Sequence, residues 1–141
     1  MRFISHRGNL SSKLWDSNPY QIDAVIKKGY DCEIDIWKIN DDYYLGHSQP
    51  SFDVSSAWLE QRFNNLLLHC KNPAALADPF LNKGHLFWHE EDRYAITNRG
   101  IPICYPGVAM IDGAIQMKVE EWGEIYPTAW GICSSFLERY I

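Results

Sequence analysis

Two acidic residues, Glu33 and Asp35, occupy alternate positions in the segment DCEIDIW (31–37). If this segment is a β-strand, both carboxylates point to one face, and Cys32, Ile34 and Ile36 point to the other. Two neighbouring carboxylates that are turned away from water repel each other unless a cation pairs with them. A hard divalent ion such as Mg²⁺ or Ca²⁺ suits oxygen ligands at this spacing, so the pair predicts a metal site. The alternative is an ordinary strand face that is exposed to solvent.

Histidines and cationic residues stand at the ends of other strand-like segments. His6 and Arg7 follow RFIS, His47 follows YYLG, and His69 and Lys71 end LLLHCK. Histidine accepts or donates a proton near neutral pH, and arginine and lysine bind anionic oxygens. Each residue alone is typical of a solvated or hydrogen-bonded strand end. Together with the acidic pair they predict metal-assisted phosphoryl transfer, either to water or to an internal hydroxyl.

A further strand-like segment, LFWHE (86–90), ends with Trp88 and His89. Packing of Trp88 at the edge of the core beside a solvated acidic run is the favoured interpretation, and the alternative is that both side chains line the rim of the same pocket. The set of histidines also raises a second hypothesis for the metal. A transition metal such as Zn²⁺ or Mn²⁺ suits imidazole ligands, which His6, His47, His69 and His89 would supply.

Short apolar runs and helix signals alternate along the first half of the chain and predict the elements that position these residues. We expect strands over 2–5, 31–37, 43–47, 65–70, 86–90, 101–106, 114–118 and 129–135, and helices over 18–30, 54–63 and 72–84. Sites form at the carboxyl ends of parallel strands, where these polar residues stand. We therefore predict an α/β fold, a trimmed TIM-like (β/α) barrel with short connections in its second half, as a single domain over residues 1–141.

The composition excludes several classes of protein. With 46% hydrophobic and 22% charged residues, the chain is typical of a globular protein. Its net charge of −5 argues against a nucleic-acid partner. No apolar run approaches the roughly 18 residues of a transmembrane segment. The four cysteines form no CxxC pair, and we expect them to be reduced in a cytoplasmic protein. The expected partner is a small-molecule phosphodiester, and the oligomeric state is left open.

Three motifs resemble those of the glycerophosphodiester phosphodiesterase family, within the phosphatidylinositol-phospholipase-C-like superfamily. SHRGN (5–9), GYDCEIDIW (29–37) and YYLGH (43–47) stand in the order and spacing of that family's H-R-G, E-x-D and histidine motifs. DSNPYQI (16–22) resembles its P-E-N-T segment, and GICSSFL (131–137) resembles its final-strand G-I-x-T-D-x-P segment.

The resemblance implies a role for each residue of the proposed site. His6 and His47 match the family's acid–base pair, Arg7 a phosphate-binding residue, and Glu33 and Asp35 two ligands of its divalent cation. HCK (69–71) stands where the family has E-x-K, so His69 replaces the third ligand and Lys71 offsets charge on the phosphate. The implied activity is metal-dependent phosphodiester hydrolysis. The alternative is a catalytically weak relative that binds a phosphorylated small molecule or sugar phosphate.

Overall fold

A computed structural model describes residues 1–141 and contains a mixed ten-stranded sheet with three short α-helices. The strands are β1 (Arg2–His6), β2 (Asp31–Ile39), β3 (Asp42–Leu45), β4 (Phe52–Val54), β5 (Leu66–Cys70), β6 (His85–Phe87), β7 (Tyr94–Ile96), β8 (Pro102–Cys104), β9 (Ile115–Met117) and β10 (Gly131–Ser134). The α-helices are α1 (Pro19–Lys27), α2 (Ser56–Arg62) and α3 (Pro73–Leu76), and four 3₁₀ turns accompany them.

Seven strands run parallel to their neighbours, in the order β6, β5, β2, β1, β10, β9, β8. The long strand β2 continues past β1 and pairs antiparallel with β3, which in turn pairs with β4. At the other side, β7 pairs antiparallel with β8, and a single bridge from Phe87 to Thr97 links β6 to the residue after β7. The carboxyl ends of the seven parallel strands therefore meet at one edge of the sheet.

The prediction of a trimmed TIM-like (β/α) barrel is wrong. Helices do not alternate with strands, because β2 is followed by the antiparallel strands β3 and β4, and no α-helix follows β6. Only ten residues separate β8 from β9, and the segment contains two glycines with positive φ, so it forms turns rather than a helix. The result is a sheet-rich protein with helices of nine, seven and four residues.

The first predicted helix is confirmed and the third is too long. Asn18 caps α1 by accepting hydrogen bonds from two backbone N–H groups of the first turn, as its sequence indicated. The helix predicted over 72–84 instead ends at Leu76, and only a 3₁₀ turn, Leu81–Lys83, follows. Pro79 explains the break, because proline disfavours helical backbone at the preceding residue, Asp78.

Asp78 forms a buried polar cluster with residues of β2 and β3. Its buried carboxylate accepts hydrogen bonds from the Tyr43 hydroxyl and from Lys38 Nζ at 3.2 Å. Burial alone would raise the pKa of Asp78, but the hydrogen bonds from Tyr43 and Lys38 prevail and lower it. The cluster therefore joins β2, β3 and the segment after α3 through satisfied polar groups.

The two faces of the sheet carry separate hydrophobic cores. The larger core lies between the sheet and the helices and contains alternate residues of β2, Cys32, Ile34 and Ile36. The smaller core, on the opposite face, comprises Ile4, Leu67, Phe87, Ile103, Ile115, Met117 and Cys133. The alternation predicted for β2 is confirmed, and it turns Glu33 and Asp35 away from the larger core.

The remaining sequence expectations concern cysteines and membrane spans. All four cysteines are buried and unpaired with one another. None of the helices combines the length and the apolar character needed to cross a bilayer.

Candidate functional site

Strand register brings the predicted site residues together. In the parallel pairing of β1 with β2, His6 stands opposite Glu33, and in the pairing of β2 with β5, Asp35 stands opposite His69. The turn that carries His47 is tied to β2, because the Gly46 N–H donates to the Asp35 carbonyl. Residues that lie far apart in the sequence are therefore neighbours at one edge of the sheet.

A cavity of about 300 Å³ opens at this edge. Eight of the nine predicted site residues line it: His6, Arg7, Glu33, His47, His69, Lys71, Trp88 and His89. The ninth, Asp35, is fully buried and contacts the cavity through the side chains of Arg7, His47 and His69. The prediction of one shared pocket therefore agrees with the geometry.

Glu33, Asp35 and His69 form a cluster that fits a metal ion. One donor atom from each lies within 4.8 Å of the other two. Glu33 and Asp35 are 1% and 0% exposed, and neither Glu33 oxygen accepts a hydrogen bond, whereas Asp35 lies 2.9 Å from both Arg7 Nε and His69 Nδ1. Burial of a carboxylate without such partners is costly, and a divalent cation would supply the missing interaction. Two carboxylates and an imidazole are a donor set for Mn²⁺ or Zn²⁺ as well as for Mg²⁺.

The hydrogen bonding of His69 orients its ring towards the proposed metal site. Nε2 lies 3.0 Å from the carbonyl oxygen of His89, and because a carbonyl only accepts, Nε2 carries the proton. Nδ1 lies 2.9 Å from Asp35 Oδ1 and 3.8 Å from Glu33 Oε1. Nδ1 therefore faces two carboxylates, and a cation bound among them would occupy the position of a proton on Nδ1.

The buried carboxylates affect each other's ionisation. Burial, together with the nearby charge of Asp35, raises the pKa of Glu33 well above its ordinary value. Burial would also raise the pKa of Asp35, but the adjacent His69 ring and the Arg7 guanidinium outweigh it, so this pKa is lowered. Of the two carboxyl groups, Glu33 therefore binds a proton more readily.

His6 and His47 lie on either side of the carboxylates. His6 Nε2 is 3.6 Å from Glu33 Oε2, and its Nδ1 is 3.1 Å from the Ser135 hydroxyl. His47 Nδ1 is 3.5 Å from Asp35 Oδ2, and about half of its side chain is exposed. Burial lowers the pKa of His6 to about 3, aided by the Arg7 charge, and burial and Arg7 also lower the pKa of His47. Both rings are therefore mainly neutral at pH 7.

The two cationic residues predicted to bind phosphate both line the cavity, but only Arg7 is held in place by ion pairs. Arg7 adopts a left-handed backbone (φ 63°), and its Nε lies 2.9 Å from Asp35 Oδ2. A second acidic group, Asp16, lies 3.6 Å from Arg7 Nη1. Lys71 forms no ion pair, and only its backbone is fixed, by donation to the Ile36 carbonyl. Arg7 is therefore a pre-positioned cation, whereas the Lys71 ammonium is available to a ligand.

The two candidate rim residues directly follow β6. Trp88 and His89 both line the cavity. His89 stacks on Tyr105, with ring centroids 3.7 Å apart, and its Nε2 lies 2.6 Å from the Asp92 carbonyl oxygen. This stack forms a fixed aromatic wall of the cavity.

Several residues of the site were not predicted from the sequence. Asn9 is fully buried and fixes the loop after β1, donating to the His6 carbonyl and to Asp16 and accepting from the Trp15 N–H. Tyr105 and Lys118 line the cavity after β8 and β9. The lysine at the end of AIQMK (114–118) follows the same pattern as Lys71 in LLLHCK, and this signal in the sequence could have identified it.

No protein-family model, curated protein or solved structure gives a match to this chain.

Proposed function

We propose that this protein is a metal-dependent phosphodiester hydrolase, similar to glycerophosphodiester phosphodiesterases. The observation that carries the proposal is the buried cluster of Glu33, Asp35 and His69, in which neither Glu33 oxygen accepts a hydrogen bond. They lie beside two histidines and two cations at the edge of one cavity. A metal site, proton-transfer groups and anion-binding groups are the parts that hydrolysis of a phosphodiester needs.

Glu33, Asp35 and His69 would hold the divalent cation. When bound, the cation would polarise the phosphoryl group and offset the charge that develops on its oxygens. The His89 carbonyl orients the His69 ring, and the Arg7 guanidinium holds the buried Asp35 carboxylate in its ionised form. These contacts keep the donor atoms in place before a cation binds.

His6 and His47 would transfer the protons. His6 is neutral at pH 7, so its ring nitrogen can accept the proton of an attacking water or of an internal hydroxyl. His47, which is half exposed, can take a proton from solvent and donate it to the oxygen of the departing alcohol. The new phosphorus–oxygen bond replaces the bond to the alcohol. His6 gains the proton of the nucleophile, and His47 gives the proton that it took from solvent to the alcohol oxygen. Arg7 and Lys71 would contact the non-bridging oxygens.

The first experiment measures hydrolysis of bis(p-nitrophenyl) phosphate and of glycerophosphodiesters with added Mg²⁺, Ca²⁺, Mn²⁺ or Zn²⁺. We expect metal-dependent turnover that falls by at least about 100-fold in His6→Ala and in Glu33→Gln. Glu60→Gln, which removes an exposed carboxylate on α2, is the matched control and should retain full activity.

Two outcomes would contradict the proposal. Absence of turnover with every metal and every diester would rule out hydrolysis, and calorimetric binding of a sugar phosphate in the same protein would then favour the binding-only alternative. Turnover that persists in EDTA would exclude the role of the metal. Comparison of the four metals tests whether the imidazole of His69 shifts the preference from Mg²⁺ or Ca²⁺ to Mn²⁺ or Zn²⁺.

A further inference from the structure

Lys118 is a strained residue at the cavity that the proposed function does not use. It follows β9 directly and adopts a left-handed backbone, with φ of 52° and ψ of 54°. This conformation is unfavourable for any residue with a Cβ, and it persists only where the surroundings impose it. Here both neighbours are fixed, because Met117 and Val119 are each 2% exposed.

The register of the sheet places Lys118 near His6. Met117 pairs with Cys133 of β10, and Cys133 pairs with Ile4 of β1, two residues before His6. The charge of Lys118 accordingly contributes to the low pKa of His6, after burial and the closer Arg7. Lys118 also lines an adjoining cavity of about 280 Å³, together with His89, Tyr105 and three acidic residues, none of which pairs with it: Glu91, Asp92 and Glu121. The residue thus stands on the wall between the two cavities.

The ammonium group of Lys118 has no partner in the protein. It forms no hydrogen bond and no ion pair, although the strained backbone holds the residue at the cavity wall. Arg7, by contrast, already pairs with Asp35. A cation that is kept at a cavity wall by a strained backbone, and that contacts no carboxylate, is suited to an anionic ligand.

We propose that Lys118 is an anion-binding residue of this cavity and contacts a phosphate oxygen on the His6 side, opposite Lys71. The inference rests on the proposed function only in taking the anion to be a phosphate. With Arg7 and Lys71 beside the carboxylates and Lys118 beside His6, cations flank the phosphate from two sides. Such an arrangement holds the phosphorus in a fixed position relative to His6.

The experiment measures binding of inorganic phosphate by calorimetry, once with EDTA and once with Mg²⁺. Three variants distinguish the effect of the Lys118 charge from that of its backbone conformation. Lys118→Met removes the charge, Lys118→Gly removes the charge and also relieves the left-handed strain, and Lys118→Arg keeps the charge. The control, Lys28→Met, removes an equal charge from an exposed position at the end of α1.

We expect phosphate affinity to fall at least about tenfold in Lys118→Met and in Lys118→Gly, and to stay within about threefold in Lys118→Arg and in the control. Lys118→Gly should also raise Tm by about 3 °C, so weaker phosphate binding in this variant could not be attributed to unfolding. An unchanged affinity in Lys118→Gly, or no phosphate binding by the unmodified protein in either arm, would overturn the inference.

The inference and the proposed function can fail separately. If phosphate binding depends on Lys118 but no diester is cleaved, the anion site stands and hydrolysis is refuted. If diesters are cleaved and Lys118→Gly leaves both phosphate affinity and KM unchanged, hydrolysis stands and the role of Lys118 is refuted.

Discussion

Replacement of Glu33 with glutamine should stabilise the metal-free protein while it removes the proposed metal site. Glu33 is 1% exposed, its oxygens accept no hydrogen bond, and the Asp35 carboxylate lies beside it. A glutamine of the same size carries no charge, and its amide can donate to Asp35. The substitution therefore removes an electrostatic cost without opening a cavity in the core.

The size of this effect follows from the raised pKa of Glu33. In the unfolded chain the carboxyl titrates near its ordinary value of 4.5, whereas in the folded protein burial and Asp35 raise the pKa well above it. The folded state then binds the proton more tightly, so stability falls as pH rises above 4.5. Each pH unit in that window costs about 1.4 kcal/mol, so the cost at pH 7 is at most about 3 kcal/mol. We expect Glu33→Gln to recover about 1–3 kcal/mol.

Urea denaturation in EDTA at pH 7 and at pH 4 measures this effect. At pH 7 the variant should have the higher free energy of unfolding, and at pH 4 the gain should vanish because wild-type Glu33 is then protonated in both states. Glu60→Gln, on the exposed surface of α2, should change stability by less than about 0.5 kcal/mol. Added Mn²⁺ should stabilise the wild type and leave Glu33→Gln unaffected. A loss of stability of more than about 1 kcal/mol in Glu33→Gln at pH 7 would refute the reasoning.

Three further substitutions or titrations test the site and its support. Gly46→Ala should destabilise the protein by at least about 3 kcal/mol in thermal unfolding, because a Cβ at this position would lie 1.9 Å from the Gln49 carbonyl oxygen. Asp78→Asn should cost about 2–4 kcal/mol in urea, because Lys38 loses its buried partner. Since the pKa of Asp78 is lowered, that difference should shrink as pH falls below 3.8. The affinity for Mg²⁺ should rise with pH as Glu33 releases its proton, and calorimetry in two buffers of different ionisation enthalpy would detect that release.

The site was more predictable from the sequence than the fold was. Alternation along β2 is a local property, and it correctly separated Glu33 and Asp35 from the apolar residues of the larger core. Polar residues directly after an apolar run, such as His69 and Lys71, indicated the carboxyl end of a strand. Because the carboxyl ends of parallel strands meet, these local signals were enough to predict one shared cavity.

These local patterns could not predict the topology of the sheet, because strand pairing depends on contacts between distant segments. The turn NDD (40–42) indicated that β3 follows β2, but nothing in the sequence showed that β4 would add to β3 before α2 begins. Strands of three residues, such as β7, are too short for periodicity to detect. The left-handed backbone of Lys118 could not be predicted from the sequence either, because the buried residues on either side of it impose this conformation.

The protein contains two buried polar clusters, and they differ in whether their carboxylates have hydrogen-bond partners. Around Asp78, each carboxylate oxygen has a donor, so the cluster is explained by the folded structure it stabilises. At the cavity, Asp35 is ion-paired with Arg7 and His69, but neither Glu33 oxygen has a donor. Two cationic residues of the same cavity, Arg7 and Lys118, adopt left-handed backbone. Stability alone gives no reason to place a buried carboxyl group without a donor and two strained residues at one edge of the sheet. A ligand that carries both a divalent cation and an anion would satisfy both groups at once, and so accounts for their proximity.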